Sequence, residues 1–161
     1  MRLTLHLAAI ALVALGAAGS ASAAEPTGTW LTQNGGSRIK IADCGGALCG
    51  TIVWLKEPND EGGKPKTDKN NPDPAKRSRP LIGVMVLISM QPSGPSKWSG
   101  TLYDNDRGLT LPGHITEQDA ATIRVEGCMG ALCGGEDMTR VSEPARPPVR
   151  PKPADKRGGS P

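Results

Sequence analysis

The chain contains four cysteines, and they form two copies of one short pattern that lie 84 positions apart. The first copy is Asp43-Cys-Gly-Gly-Ala-Leu-Cys-Gly50 and the second is Cys128-Met-Gly-Ala-Leu-Cys-Gly134. Alternating apolar residues precede each copy, which predicts a strand that enters a Cys-x4-Cys turn. Facing residues of such a hairpin lie about 4.5 Å apart at Cα, a separation that a disulfide tolerates. We therefore predict two similar hairpins, with Cys44 bonded to Cys49 and Cys128 bonded to Cys133.

The N-terminus indicates an oxidising compartment in which such bonds persist. Met1-Arg2, the apolar run at 3–18 and the small residues at 21–24 have the pattern of a secretory signal peptide. We expect residues 1–24 to be removed and the protein to be periplasmic or secreted. Free thiols or a zinc site are the alternatives, but Cys-x4-Cys is not the usual zinc spacing.

The sequence offers little for enzyme chemistry. His114 is the only histidine after the signal peptide, so a hydrolase triad would have to use it, and no nucleophile elbow lies near it. Paired histidines, a phosphate-binding glycine loop and a dinucleotide fingerprint are also missing from the sequence. We therefore expect no catalytic residues, no cofactor and no enzyme activity.

Four oxygen-bearing residues in the charged stretch 56–79 are candidates for calcium ligands. They are Asp68, Asn70, Asn71 and Asp73. Calcium prefers carboxylate and amide oxygens, but the spacing is not that of an EF-hand loop. Asx-Pro segments more often form turns by bonding their own backbone, so we predict no metal site.

Two arginines end the same stretch and are candidates for anion binding. Arg77 and Arg79 could hold a carboxylate or phosphate head group at the mouth of a barrel. In the alternative interpretation they are solvated charges, one of which pairs with Asp73 or Asp68.

Charge is distributed unevenly along the chain. Residues 25–141 carry 13 basic and 14 acidic side chains, whereas residues 142–161 carry five basic and two acidic ones. The last segment also contains six prolines and only one large apolar residue, so we expect it to be a disordered, basic tail. We expect no nucleic-acid partner and no membrane-spanning segment in the mature chain. Contact of the tail with an anionic envelope surface stays open.

Eight short stretches show the alternation or the β-branched and aromatic content that is typical of strands. They cover 28–32, 37–42, 51–55, 84–90, 98–103, 109–115, 121–126 and 136–141. Turn signals such as Asn34-Gly-Gly36 and Pro92-Ser-Gly-Pro95 separate them. We predict an all-β single domain at 25–141, an eight-stranded antiparallel up-and-down barrel. We expect it to be a monomer.

Alternate residues of these strands would line the barrel lumen. The candidates are Ile52, Trp54, Val84, Val86, Ile88, Trp98 and Leu102. Gly28-Thr-Trp30 on the first strand and Arg140 on the last resemble the pair that closes one end of lipocalin-like barrels, where cation–π stacking provides the attraction.

The part of the chain at 28–141 resembles Domain of Unknown Function 2147, a family of small exported bacterial proteins. The matching residues are Gly28-x-Trp30, Cys44-Gly-x-x-Leu-Cys-Gly50, Ile52-Val-Trp-Leu55, Asp68, Asn71-Pro-Asp-Pro74, Arg77-Ser-Arg-Pro-Leu81, Gly83, Trp98-x-Gly100, Tyr103 and Thr139-Arg-Val141. Lys76, Asn105 and Met138 depart from the residues that are usual in the family. The resemblance implies a lipocalin-like barrel with no established activity and with ligand binding as its favoured role.

The favoured hypothesis is a non-enzymatic binding protein that holds a small apolar or amphipathic molecule in the barrel. The alternative is an envelope interaction module with a filled core, which uses the 56–79 loop and the basic tail.

Overall fold

The computed structural model describes residues 26–142, which form a closed antiparallel barrel whose strands are neighbours in chain order. The strands are β1 (Gly28–Leu31), β2 (Ser37–Asp43), β3 (Leu48–Leu55), β4 (Met85–Gly94), β5 (Lys97–Asp104), β6 (Leu109–Asp119), β7 (Thr122–Met129) and β8 (Leu132–Arg140). A short 3-10 helix at Pro74–Lys76 lies in the long loop between β3 and β4. The predicted eight-stranded up-and-down barrel is confirmed.

The predicted signal peptide at 1–24 and all but the first residue of the predicted tail at 142–161 lie outside the described residues. Within residues 26–142, no helix is long and apolar enough to cross a membrane.

Several strands are longer than predicted: β3 begins at Leu48, β7 ends at Met129 and β8 begins at Leu132, and two others run through predicted turns. β4 continues through Pro92 to Gly94, and β6 continues to Asp119. Proline cannot donate to a β-ladder and is tolerated where pairing is irregular. The register of β4 against β5 shifts on both sides of the Gln91–Pro92 step, which accommodates Pro92 inside the strand.

Both predicted disulfides are present, but the two hairpins differ. Cys128 and Cys133 face each other across β7 and β8, with a Cα–Cα distance of 4.0 Å. Cys44 lies in a turn beyond the ladder, because Cys49 pairs with Ala42 in the register of β2 and β3. The Cα–Cα distance of this bond is 5.8 Å. The sequence repeat therefore predicts the bonds correctly but not the shared hairpin geometry.

The barrel has a closed end and an open end. β1 begins and β8 ends at the closed end, which also carries the β2–β3, β4–β5 and β6–β7 turns. The open end carries the turns at 32–36, 105–108 and 130–131 and the loop at 56–84.

A buried tryptophan fills the closed end. Trp30 is fully buried, and its Nε1 donates a hydrogen bond to the carbonyl of Pro26 at 2.8 Å. The Arg140 guanidinium lies 4.1 Å from the Trp30 ring centroid and donates to the carbonyls of Thr27 (2.6 Å) and Ala120 (2.7 Å). Gly28 has φ 128°, and a Cβ there would lie 2.7 Å from Arg140 Nη1, so only glycine fits under this arginine.

The pairing that closes the barrel is short. β1 meets β8 only at Trp30–Arg140 and Leu31–Thr139, and the chain then turns into β2. Residues 132–137 of β8 therefore pair with β7 on one side and with no described strand on the other. We call the gap between residues 132–137 and the 32–36 turn the seam. It begins at the open end and extends about halfway down the barrel.

Candidate functional site

A cavity of about 1050 Å³ occupies the open half of the barrel. Its upper rim is formed by the 32–36 turn, parts of the 56–84 loop, the 105–108 turn and the tip of the β7–β8 hairpin. This volume is at the upper end of the range found for small-molecule sites. The cavity is therefore large enough for a ligand and is accessible from outside.

The wall of the cavity is aliphatic. Its aliphatic and methionine side chains are Ile39, Ile52, Leu55, Leu81, Val86, Leu87, Leu102, Leu111, Val125, Met129, Leu132 and Met138. Gly127 and Gly134, which face each other across β7 and β8, add wall area without side chains. A Cβ at Gly134 would meet no atom within 4 Å, so this position leaves open space in the cavity.

Three predicted lumen residues, Ile52, Val86 and Leu102, line this cavity. Trp54 does not, because a bulge intervenes between it and Ile52. The register of β2 against β3 pairs Ile39 with Ile52 and Arg38 with Trp54, so that Val53 is the extra residue. The extra residue turns Trp54 to the outer face, where Arg38 lies 4.6 Å from its ring centroid.

The other three predicted lumen residues also lie away from the cavity lining. Val84 is buried just before β4, where its carbonyl accepts a hydrogen bond from the Ile52 amide. Ile88 is partly buried and packs against the core, but it does not line the cavity. Trp98 is buried opposite Ile115 in the closed half, where it belongs to the core.

The sequence reasoning missed several residues of the lining. Leu87 lies in a run of apolar residues without alternation, so no face could be assigned to it. A register shift between Gly50 and Thr51 makes Val86 the extra residue of β4, and Val86 and Leu87 both reach the cavity. Leu55 follows the bulge in β3 and returns to the inner face. Knowledge of the two bulges would have identified these residues, and bulges depend on cross-strand register rather than on local sequence.

Charged side chains surround the mouth of the cavity. They are Lys56, Glu57, Lys66, Asp104, Asp106, Arg107 and Glu136. Lys66 Nζ lies 3.5 Å from Glu57 Oε2, and Arg107 Nε lies 3.8 Å from Asp104 Oδ2. Exposed pairs of this kind contribute at most about 1 kcal/mol, so they can exchange partners readily. The mouth thus offers polar groups of both signs to the head group of a ligand.

A buried polar cluster attaches the long loop to the cavity wall. Asp68 is completely buried, and its Oδ1 accepts a hydrogen bond from the Tyr103 hydroxyl at 2.6 Å. Its Oδ2 accepts from Asn71 Nδ2 at 2.7 Å and from Arg79 Nη2 at 2.8 Å. Tyr103 itself lines the cavity. The cluster therefore positions the 56–84 loop over the mouth.

The ionisation states in this cluster follow from its hydrogen bonds. Burial alone would raise the pKa of Asp68, but the hydrogen bonds from Tyr103, Asn71 and Arg79 outweigh it and lower that pKa. Burial, together with the bond to the Asp68 carboxylate, raises the pKa of Tyr103 to about 12. At neutral pH the carboxylate is therefore charged and the tyrosine keeps its proton.

The side chains that the sequence analysis considered for the barrel mouth, Arg77 and Arg79 with Asp68 and Asp73, have partners inside the loop. Arg79 is bonded to Asp68, which matches the ion-paired alternative rather than a free anion site. Arg77 Nε donates to the carbonyl of Asn71 at 2.8 Å. Asp73 accepts from the amide of Ala75 and lies 3.2 Å from Lys76 Nζ, so it caps the 3-10 helix. None of these side chains lines the cavity.

The side chains considered as calcium ligands are already bonded to protein groups. The Asp68 oxygens are occupied by three donors, and Asn70 Nδ2 donates to the carbonyl of Asp106 at 2.6 Å. His114 lies on the outer wall, with its Nδ1 3.0 Å from Ser99 Oγ, and contributes nothing to the cavity.

Comparisons with known proteins agree with this geometry. The model of the family described as "Uncharacterized protein conserved in bacteria (DUF2147)" matches residues 28–140. A solved structure, protein HP1028 from the human pathogen Helicobacter pylori, described as belonging to the lipocalin family, superposes with a TM-score of 0.62 at 21% identity. The match covers 73% of this chain and 83% of the other, and at this identity it shows the fold alone. No curated protein matches the chain at a significant level.

Proposed function

The chain belongs to the DUF2147 family of bacterial proteins, and we propose that it is a non-enzymatic, periplasmic or secreted binding protein for a small apolar or amphipathic molecule. The observation that carries the proposal is the cavity of about 1050 Å³ with an aliphatic wall and a charged mouth. Sites for small ligands are typically concave and mostly apolar, with a few polar groups that fix orientation.

The polarity of the cavity suggests how the ligand lies. Its apolar part would contact Leu87, Leu102 and Val125 deep in the barrel, where these apolar side chains offer water no hydrogen bonds. A polar end would remain at the mouth, near Lys56, Lys66 and Arg107. The lipocalin-like fold supports this proposal, because barrels of this size can enclose one small ligand. The cavity also favours it over a filled-core interaction module.

The two disulfides and the N-terminal pattern support the proposed location. Both bonds join residues five positions apart, and such bonds persist in the periplasm or outside the cell.

The proposal can be tested by filling the cavity from its own wall. Gly134→Leu places a side chain in the open space beside Gly127, and Ala42→Leu adds similar bulk on the outer face of β2. We expect the wild type to bind the amphipathic dye anilinonaphthalene sulfonate at one saturable site. Gly134→Leu should weaken this binding by about tenfold or more, equivalent to about 1.4 kcal/mol, whereas Ala42→Leu should not.

Native mass spectrometry of the same three proteins provides a second readout. A small molecule that copurifies with the wild type and with Ala42→Leu, but not with Gly134→Leu, would support the proposal. Equal dye binding by all three folded proteins, or no saturable binding by the wild type, would contradict it.

A further inference from the structure

The seam exposes a strand edge with its backbone groups unpaired. Across the β7–β8 hairpin, Cys128 and Cys133 have a Cα–Cα distance of 4.0 Å, the short separation of a non-hydrogen-bonded pair. Pairs of the two types alternate along an antiparallel ladder, so Gly135 and Asp137 are also non-hydrogen-bonded to β7. The N–H and C=O groups of these three residues therefore point away from β7 and into the seam.

No other strand reaches these groups. β1 pairs with β8 only from Thr139 onwards. Within residues 26–142, no backbone hydrogen bond crosses the seam to Cys133, Gly135 or Asp137. Exposed strand edges are usually protected by charged side chains, especially lysine, by proline or by shortening of the strand, and the charges on this edge, Glu136 and Asp137, are both acidic. Residues 132–137 contain neither lysine nor proline, and two of them are glycines.

The same six residues also border the cavity. Gly134 and Glu136 are two positions apart and line it, with the backbone of Gly135 between them, whereas Asp137 does not line it. Gly134 leaves space there. The Glu136 carboxylate accepts a hydrogen bond from the Gln33 amide at 2.9 Å and has no ion-pair partner among the described side chains. An unpaired strand edge, an apolar cavity and a carboxylate without an ion-pair partner therefore lie side by side.

We propose that this edge binds an extended peptide segment of another protein as an added strand. The segment would place an apolar side chain in the cavity beside Gly134 and, two residues away, a basic side chain next to Glu136. In such strand addition, main-chain hydrogen bonds supply affinity and pockets for alternate side chains supply specificity. The inference rests on the proposed function only in using the same cavity, and it names a peptide as the class of ligand.

The charges favour a basic peptide over a second copy of this chain. Pairing two β8 edges would bring a second Glu136 carboxylate into the seam and no cation with it. Like charges close together across a ladder are unfavourable, whereas opposite charges stabilise it. The outward carboxylate of Asp137 is already bonded to Arg124 at 3.1 Å, which leaves Glu136 to select the partner.

A labelled peptide tests directly whether an added strand forms backbone hydrogen bonds with β8. The probe is a capped, fluorescein-labelled heptapeptide, Thr-Lys-Thr-Leu-Thr-Val-Thr, whose lysine and leucine share one face and, in an antiparallel pairing, would lie opposite Glu136 and Gly134. Its threonine amides would face β8, so the control peptide carries N-methyl groups on the threonine amides. We expect saturable binding of the first peptide, measured by fluorescence anisotropy, and binding that is weaker by about tenfold or more for the methylated one.

Two pairs of protein variants separate the edge from the cavity. Asp137→Pro removes an amide that faces the seam, and Asp137→Ala keeps that amide while losing the same carboxylate. We expect Asp137→Pro to bind the peptide at least about fivefold more weakly than Asp137→Ala. Glu136→Gln keeps an oxygen that accepts the hydrogen bond from the Gln33 amide, but it loses the charge. It should therefore weaken binding of the lysine peptide and leave binding of a peptide with norleucine in place of lysine unchanged.

Dye binding distinguishes failure of this inference from failure of the proposed function. The two Asp137 variants, whose changed side chain does not line the cavity, should have melting temperatures near that of the wild type and should still bind anilinonaphthalene sulfonate. Dye binding without peptide binding, or equal binding of the methylated peptide, would overturn the added strand and leave the small-molecule site standing. A concentration-dependent dimer that Asp137→Pro abolishes and Asp137→Ala retains would assign the edge to a second copy and would also overturn it.

Discussion

The two ends of the barrel differ in how they are covered. At the closed end, Trp30 is fully buried, and Arg140 covers it while bonding two backbone carbonyls. At the open end, the wall is incomplete along β8, and the mouth is covered only by a loop that Asp68 attaches to Tyr103.

Exposed apolar residues show the same asymmetry. All six large hydrophobic side chains that are well exposed in residues 26–142 lie in the open half: Val53, Ile82, Met85, Leu109, Met129 and Leu132. Leu132 is 78% exposed although it is on the inward row of its strand. The comparison indicates that stability is concentrated at the closed end and that binding is assigned to the open end. Four predictions test this division.

The largest effect is expected from the closed end. Trp30→Ala should lower the free energy of unfolding by about 3–5 kcal/mol, because it empties a large, well-packed site. Trp54→Ala is the matched control, since that ring also lies against an arginine but on the outer wall. Its cost should be clearly smaller in the same urea titration.

The Arg140→Ala variant sharpens this prediction. Its cost should be below that of Trp30→Ala, and a double-mutant cycle of the two should give a coupling of about 0.5 kcal/mol or more. Strictly additive effects would mean that the stacked pair does not stabilise the closed end.

The second effect is expected in the loop at the open end. Asp68→Asn should cost about 2–3 kcal/mol, because it removes the charge that Arg79 pairs with and leaves buried donors poorly satisfied. Asp73→Asn should change stability by less than about 0.5 kcal/mol, because asparagine caps a helix as well as aspartate does. Hydrogen exchange should show faster exchange in the 56–84 loop of Asp68→Asn, with the closed end unchanged. Faster exchange at both ends would show that the two regions are not independent.

The third prediction concerns alkaline pH. Tyr103 has its pKa raised from 10.0 to about 12, so folding favours the protonated form. The stability that this proton contributes, on the order of 2–3 kcal/mol, is fully present below pH 10 and is lost as the pH rises towards 12. Wild type and Tyr103→Phe should therefore differ in the slope of stability against pH in this window. If the two curves were parallel, the Tyr103 proton would not contribute to the stability of the cluster.

Sequence reasoning succeeded wherever the signal is local. Alternation and turns such as Asn34-Gly-Gly36 predicted the strand order, because each hairpin is specified by residues that are close in the chain. The two disulfides followed from the same logic. The closing pair, Trp30 and Arg140, came from the resemblance to lipocalin-like barrels and not from any spacing.

The cavity was harder to predict because its lining depends on register between strands. The bulge at Val53 moves Trp54 outwards and Leu55 inwards, and nothing in Ile52-Val-Trp-Leu55 itself indicates this. Asp68 meets Tyr103 from 35 positions away, which made a buried cluster look like a solvated loop. The seam exists because β1 stops at Leu31, a limit set by the turn that follows and not by the strand's own composition.

The fourth and smallest effect compares the two disulfides directly. Both close rings of six residues, for which the chain-entropy model gives about 2 kcal/mol each, so any difference reflects the surroundings. Cys44–Cys49 lies beside Ala47 and Leu48, which are buried, whereas Cys128–Cys133 lies beside a tip that is exposed. Replacing Cys44 and Cys49 together by serine should therefore cost more than replacing Cys128 and Cys133, which should cost about 1–2 kcal/mol and leave a folded barrel. Hydrogen exchange in the second variant should increase only near residues 128–133. If removal of Cys128–Cys133, the disulfide at the open end, reduced stability more than removal of Cys44–Cys49, the open end would contribute to stability as much as the closed end. The division between the two ends would then fail.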